Sequence, residues 1–137
     1  MRQKRLVWLY ARSNDKHPSA LFSQMEYLTR EANRLGFTIV GASMDMGSGR
    51  SLSRMGLQRM LEAVRNSSVN TVLIQGFSRI SLDEIITIQV LLYLHDHNAI
   101  LIPIQNYRQL APYLQSQIQT VFVDLQKQTN RKPFSSK

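Results

Sequence analysis

Leu6-Val7-Trp8-Leu9-Tyr10-Ala11-Arg12-Ser13-Asn14-Asp15-Lys16-His17-Pro18 sets how the rest of the chain is read. The apolar run Leu6 to Ala11 fits a buried strand and is far too short to cross a membrane. Polar, turn-prone residues from Arg12 to Pro18 close it. Helical spacing follows, with Ser19 as N-cap, apolar residues Leu21, Met25, Leu28, Ala32 and Leu35, and Gly36 where a helix-ending glycine belongs.

This strand, polar loop and helix unit then recurs. Phe37–Ala42 reads as a second strand, 43–53 as a Gly- and Ser-rich loop, and the next helix carries Leu57, Met60, Leu61 and Val64 on one face. Asn66-Ser67-Ser68 breaks that helix. Val69–Ile74 is a third strand and 76–82 a third loop. A helix starting near Asp83 and Glu84, acidic residues suited to a helix N-terminus, carries Ile85, Ile88, Leu91, Leu92 and Leu94. Ala99–Ile104 is a fourth strand. A last amphipathic helix spans about 112–128, with Pro112 in its first turn, and 129–137 is a flexible basic tail. Alternating strands and helices predict an α/β, three-layer fold: a mostly parallel sheet of four to five strands with helices on both faces. One domain over 1–128 accommodates all of it.

Composition narrows the function. With 43% apolar residues the chain can build a core. It has no cysteine, which excludes a disulfide framework, a cysteine nucleophile and a thiolate metal site. No signal peptide or membrane span is legible, so a cytoplasmic protein without a membrane partner is expected. Seventeen Lys and Arg against nine Asp and Glu give a net charge of +8. Such an excess favours polyanions through counterion release, and most of these cations are Arg, whose planar fork suits phosphate.

Ligands of open parallel sheets bind beyond the carboxyl ends of the strands. The three loops that follow strands there each carry arginine: Arg12 in the first, Arg50 and Arg54 in or just after the second, Arg79 in the third. They are expected to converge on one rim as an oxyanion site. Other features read more plainly. His95-Asp96-His97 places two histidines about 200° apart on a helix, so a solvated helix end is expected and no metal site. His17 is a loop histidine that could serve as a base near Ser13 or Ser19. Gly47-Ser48-Gly49-Arg50-Ser51 lacks the spacing of a nucleotide-hydrolysing loop. Met44, Met46, Met55 and Met60 fit either an adaptable contact surface or core filling. The stripe Ile118, Val121, Phe122 and Leu125 packs either on its own sheet or on a second copy.

Together these residues resemble the N-terminal catalytic domain of the serine recombinases, the resolvases and invertases. Tyr10-Ala11-Arg12-Ser13-Asn14 stands where that family has a strand ending Tyr-Ala-Arg-x-Ser, and Gln24 where it has an early helical Gln. Asp45-Met46-Gly47-Ser48-Gly49-Arg50-Ser51-Leu52-Ser53-Arg54-Met55-Gly56-Leu57 follows its Asp, Gly-x-Ser-Gly and Arg-x-Gly-Leu order. Ser78-Arg79-Ile80-Ser81-Leu82 aligns with its Asp-Arg-Leu-x-Arg. The resemblance implies a resolvase-like, flavodoxin-like build and a serine hydroxyl that attacks a DNA phosphodiester to form a phosphoserine link. It implies a phosphate site drawn from Arg12, Arg50, Arg54, Arg79 and Gln24, with DNA as partner, no cofactor, no metal, and assembly as a homodimer or higher oligomer, with or without a full-length recombinase.

The chain departs from that pattern at three positions. The nucleophile's place, two residues after Arg12, holds Asn14; the Asp place holds Ser78; the second Arg place holds Leu82. Ser13 is the displaced candidate nucleophile. A strand running through Arg12 turns Ser13 away from the arginines, whereas a turn at Arg12 brings it to them. The sequence also stops soon after its last helix, so sequence-specific DNA binding is expected to need a partner. Three functions stay open: a recombinase domain using Ser13 with Arg12, Arg54 and Arg79; a non-catalytic resolvase-like subunit that dimerises or docks on DNA; and a small-molecule phosphate binder of the same build.

Overall fold

A computed structural model of the chain describes residues 4–14, 18–47 and 54–106. In chain order these form β1 (Leu6–Ser13), α1 (Pro18–Arg34), β2 (Thr38–Met46), α2 (Met55–Arg65), β3 (Thr71–Ile74), a 3-10 turn at Phe77–Arg79, α3 (Glu84–Asp96), β4 (Ile100–Pro103) and a second 3-10 turn at Ile104–Asn106. The four described strands make one sheet in the order β2-β1-β3-β4, with every neighbouring pair parallel. The predicted last helix, the tail and the apolar stripe from Ile118 to Leu125 lie outside the described residues, as do Arg50 and His17.

Period-two alternation along the strands builds two cores from one sheet. On one face Val7 and Leu9 of β1, Leu73 of β3 and Ile102 of β4 meet Leu28 and Ala32 of α1. On the other, Tyr10, Val72, Ile74 and Leu101 meet Leu57, Met60 and Val64 of α2 and Val90, Leu91 and Leu94 of α3. Eleven of these side chains, among them Val7, Tyr10, Leu28, Leu57 and Met60, are fully inaccessible. Each is worth roughly 1.5–3 kcal/mol of transfer free energy.

Several boundaries differ from the sequence reading. Both β1 and β2 run further than expected, pairing as far as Ser13 with Met46. Residues 43–46 are therefore strand and not loop. Their polar members mislead because Ser43 and Asp45 face α2 and find partners there: the Ser43 hydroxyl donates to the Gly56 carbonyl (2.7 Å) and accepts from the Trp8 indole (2.9 Å). α1 opens at Pro18, so Ser19 lies inside the helix and is not its N-cap; proline suits a first helical position because its missing N–H has no intrahelical acceptor there. β3 begins at Thr71. The preceding Asn70 bridges strands instead, its side chain accepting from Leu6 N and donating to the Lys4 carbonyl. α3 starts where expected, with the Asp83 carboxylate accepting from Ile85 N at 2.9 Å.

The methionines divide. Met60 is core, while Met55 (76% exposed), Met46 and Met44 are on the surface. His95 is exposed on α3, and His97 caps that helix with its ring stacked on Tyr93 and bonded to the Tyr93 carbonyl. Among the described residues no three His, Asp or Glu side chains gather in metal-binding fashion, and no helix is long and apolar enough to cross a membrane.

Candidate anion site

The carboxyl ends of β1 and β3 and the N-terminus of α2 meet at one rim, bringing together Arg12, Arg54 and Arg79. Arg12 ends the strand face that carries Trp8 and Tyr10, and only 2% of it is exposed. Its guanidinium ties three loops. Nε donates to the Arg79 carbonyl (3.0 Å), Nη2 to the Ser78 carbonyl (2.7 Å), and Nη1 to both the Gly47 carbonyl (2.5 Å) and the Asn14 side-chain oxygen (2.8 Å). Four of its five N–H groups are thus engaged, three positions of the rim through backbone. Gly47 can present its carbonyl this way because its φ of 141° is open to glycine and strained for other residues.

Arg79 returns the contact. Its Nη1 donates to the Arg12 carbonyl at 3.2 Å, and its Nε to Gln75 at 3.1 Å. Gln24 reaches from α1 to the same backbone: its oxygen accepts from Arg12 N and its nitrogen donates to the Arg12 carbonyl, both at 3.2 Å. The Gln24 amide, buried and bonded at both ends to the Arg12 backbone, positions Arg12. The early helical glutamine of the sequence comparison therefore has a physical role, one that spacing alone could not reveal.

Arg54 stands apart. It is the N-cap of α2 and makes no capping bond of its own. Its Nη2 donates to the Ile80 carbonyl at 2.5 Å, but Nε and Nη1 are buried without a hydrogen-bond partner. Leaving charged donors buried and unbonded costs on the order of 1–3 kcal/mol or more, and such groups call for an explanation. A cation at a helix N-terminus is also unfavourable. The offset comes from Asp45 at the end of β2, whose two oxygens accept from Gly56 N (2.7 Å) and Leu57 N (2.8 Å) and from the Tyr10 hydroxyl (2.7 Å). This carboxylate caps α2 from the neighbouring strand. The approach is so close that a Cβ on Gly56 would lie 2.6 Å from the Met44 carbonyl oxygen and 2.8 Å from Asp45.

Electrostatics follow from that allocation. Burial, then the nearby Arg54 guanidinium and, more weakly, Arg79 lower the Arg12 pKa from its usual value. Burial, and next the hydrogen bond to Asp45, raise the Tyr10 pKa well above the ordinary tyrosine value. Three guanidinium groups thus share one rim, and among the described residues the one carboxylate that acts on Arg12 is already occupied by a helix terminus and a phenol. Such a rim is deficient in negative charge, and a phosphate or other oxyanion would supply it.

Ser13 does not join the cluster. β1 continues through it, and strand alternation sets its side chain on the α1 face with Val7 and Leu9, across the sheet from the arginines. It is 6% exposed. Asn14, in the position two past Arg12, is exposed and bonded to Arg12. Leu82 is 68% exposed and Ser78 contributes its carbonyl. Sequence reasoning missed Tyr10, Asp45 and the close packing of Gly56. The Arg-x-Gly-Leu segment was the available signal, since a glycine in the first turn of a helix marks a neighbour pressing on it.

The family model for the resolvase N-terminal domain matches residues 7–132. Among solved structures, the C-terminal catalytic domain of ISC1926 TnpA, an IS607-like serine recombinase, is similar with a TM-score of 0.68 and 20% identity, covering 92% of this chain and 99% of that one. The N-terminal catalytic domain of TP901-1 integrase gives 0.70 at 17% identity, over 91% and 99%. A resolvase family site-specific recombinase from Streptococcus pneumoniae gives 0.64 at 20%, over 90% and 95%. At these identities the structures speak for the fold. Among curated proteins no sequence matches significantly.

Proposed function

Because the chain belongs to the resolvase N-terminal domain family, we propose that it works in DNA recombination as a resolvase-type domain whose Arg12, Arg54 and Arg79 hold a backbone phosphate of DNA. One observation carries this reading: Arg54 keeps two buried guanidinium nitrogens without partners beside two further arginines. A phosphodiester supplies the anionic oxygens those nitrogens lack, and because they are shielded from solvent, its arrival requires local rearrangement at the rim. Arg12 contributes charge and one further Nη2 N–H, its other four donors being engaged. Arg50, four residues before Arg54 in the sequence, is included in the proposed phosphate-binding set. The unit is the domain over 1–128, acting on DNA as a homodimer or higher oligomer, with or without a full-length recombinase.

Two versions of this function separate on Ser13. In the enzyme, the Ser13 hydroxyl gives up its proton and attacks phosphorus, the bond from phosphorus to one deoxyribose oxygen breaks, that oxygen leaves and takes a proton, and the arginines stabilise the charge that builds on the equatorial oxygens. In the non-cleaving subunit, the arginines bind and no covalent link forms. The placement of Ser13 across the sheet from the guanidinium groups favours the second. The test is a duplex with a nick that traps a covalent protein–DNA adduct, run with wild type, Ser13→Ala and Arg54→Ala. The expected result is no adduct, with salt-sensitive duplex binding that weakens in Arg54→Ala. An adduct that vanishes in Ser13→Ala would establish the enzyme instead. Binding insensitive to both salt and Arg54 would remove the phosphate reading.

A further inference from the structure

Arg12 has four acceptors, and they are not equivalent. Those from Gly47, Ser78 and Arg79 are main-chain carbonyls fixed by the fold. The fourth, Asn14 Oδ1 at 2.8 Å from Nη1, belongs to an exposed side chain that can rotate away without moving the backbone. Resting on the phosphate-site reading above, we propose that Asn14 is an internal ligand of that site: its amide oxygen occupies Arg12 Nη1 when no anion is bound and yields that nitrogen to an arriving phosphate oxygen.

The bonding inventory supports displacement. Arg12 carries five N–H groups and four are engaged, leaving one on Nη2. A phosphate oxygen that bonds Arg12 in the two-pronged manner guanidinium favours needs a second donor, and Asn14 is the one acceptor whose departure costs no main-chain rearrangement. A neutral amide oxygen is also a weaker partner for a guanidinium than a phosphate oxygen, so the exchange is favourable once the anion is near. Asn14 thereby satisfies a buried cation in the empty site and sets a threshold on anion affinity.

Removing the amide oxygen, or replacing the amide with a carboxylate, makes the idea testable. Inorganic phosphate is titrated into the full chain while the side-chain Nε–H signals of Arg12, Arg54 and Arg79 are followed by nitrogen-15 NMR. Asn14→Ala should tighten phosphate binding by roughly 3- to 10-fold, the scale of one net hydrogen bond. Asn14→Asp, which places a full negative charge against Arg12, should weaken it by at least as much. Equal or weaker binding by Asn14→Ala, with Arg54→Ala still abolishing binding, would overturn the internal ligand and leave the phosphate site standing. Arginine signals that do not respond to phosphate in wild type or in Asn14→Ala would overturn both. An unchanged far-ultraviolet spectrum and thermal midpoint in both Asn14 variants confirm that the comparison is between folded proteins.

Discussion

Two junctions at the same end of the sheet handle charge in opposite ways. Where β2 meets α2, Asp45 closes its own account: two helix amides and a phenol saturate the carboxylate, and Gly56 lets the helix come within contact of the strand. Where β1 meets β3, three guanidinium groups gather with backbone carbonyls as their main partners, and Arg54 is left with two idle nitrogens. The first junction has all its polar groups bonded; the second keeps buried donors that the proposed phosphate would bond. Spending the nearby carboxylate on the helix rather than on the arginines is what keeps the second open, so a stabilising cap and a receptive site are the same decision about one residue.

The largest effect should come from disturbing the finished junction. Gly56→Ala puts a methyl group against the Met44 carbonyl and Asp45, and should lower stability by about 3 kcal/mol in urea denaturation. A loss under about 0.5 kcal/mol would mean that α2 slides off β2 at little cost, and the contrast between the two junctions would dissolve. The next effect concerns the open junction. Arg54→Met removes the idle donors together with one bond to the Ile80 carbonyl, and should raise stability by about 1 kcal/mol while weakening duplex binding by about tenfold at low salt. Lower stability with binding intact would show that Arg54 serves the fold and not a ligand.

The smallest effect is confined to alkaline pH. The folded Tyr10 pKa is raised, first by burial and then by Asp45, so its stabilising contribution is complete below the ordinary tyrosine value of 10.0 and is lost as pH rises above it. There the unfolded chain releases the phenolic proton and the folded chain keeps it. Tyr10→Phe should therefore flatten the fall in stability between about pH 10 and 11, without removing it, because burial also raises Tyr93. An unchanged alkaline slope would mean that the Tyr10 phenol is neither buried nor bonded to Asp45 in solution as it is in the structure.

Much of the fold was legible because it rests on local period. The run Leu6–Ala11, the helical stripe of Leu57, Met60, Leu61 and Val64, and the acidic start of α3 each announce an element within a few residues. The convergence of Arg12, Arg54 and Arg79 was legible too, since parallel strands put successive loops at one rim. What stayed hidden depends on contacts between residues far apart in the chain. Ser43 and Asp45 look like loop residues until Gly56 gives them amide and carbonyl partners. The hold of Gln24 on the Arg12 backbone, at both ends of its amide, spans twelve residues of chain and has no local signal. The direction of Ser13 turned on whether β1 stopped at Ala11 or went two residues further, and only pairing with Met46 decides that.

The way Arg12 is anchored has a consequence for how such a rim can drift in evolution. Its partners at 47, 78 and 79 are main-chain oxygens, which every amino acid possesses. Side chains at 78 and beyond can be exchanged without loosening the arginine, provided position 47 keeps a residue tolerant of its backbone angle. Ser78 and Leu82, which depart from the resolvase pattern, sit in a loop that still grips Arg12. A lineage can thus shed the residues of an old chemistry one at a time while the scaffold that displayed them stays in register, ready to be inherited for binding alone.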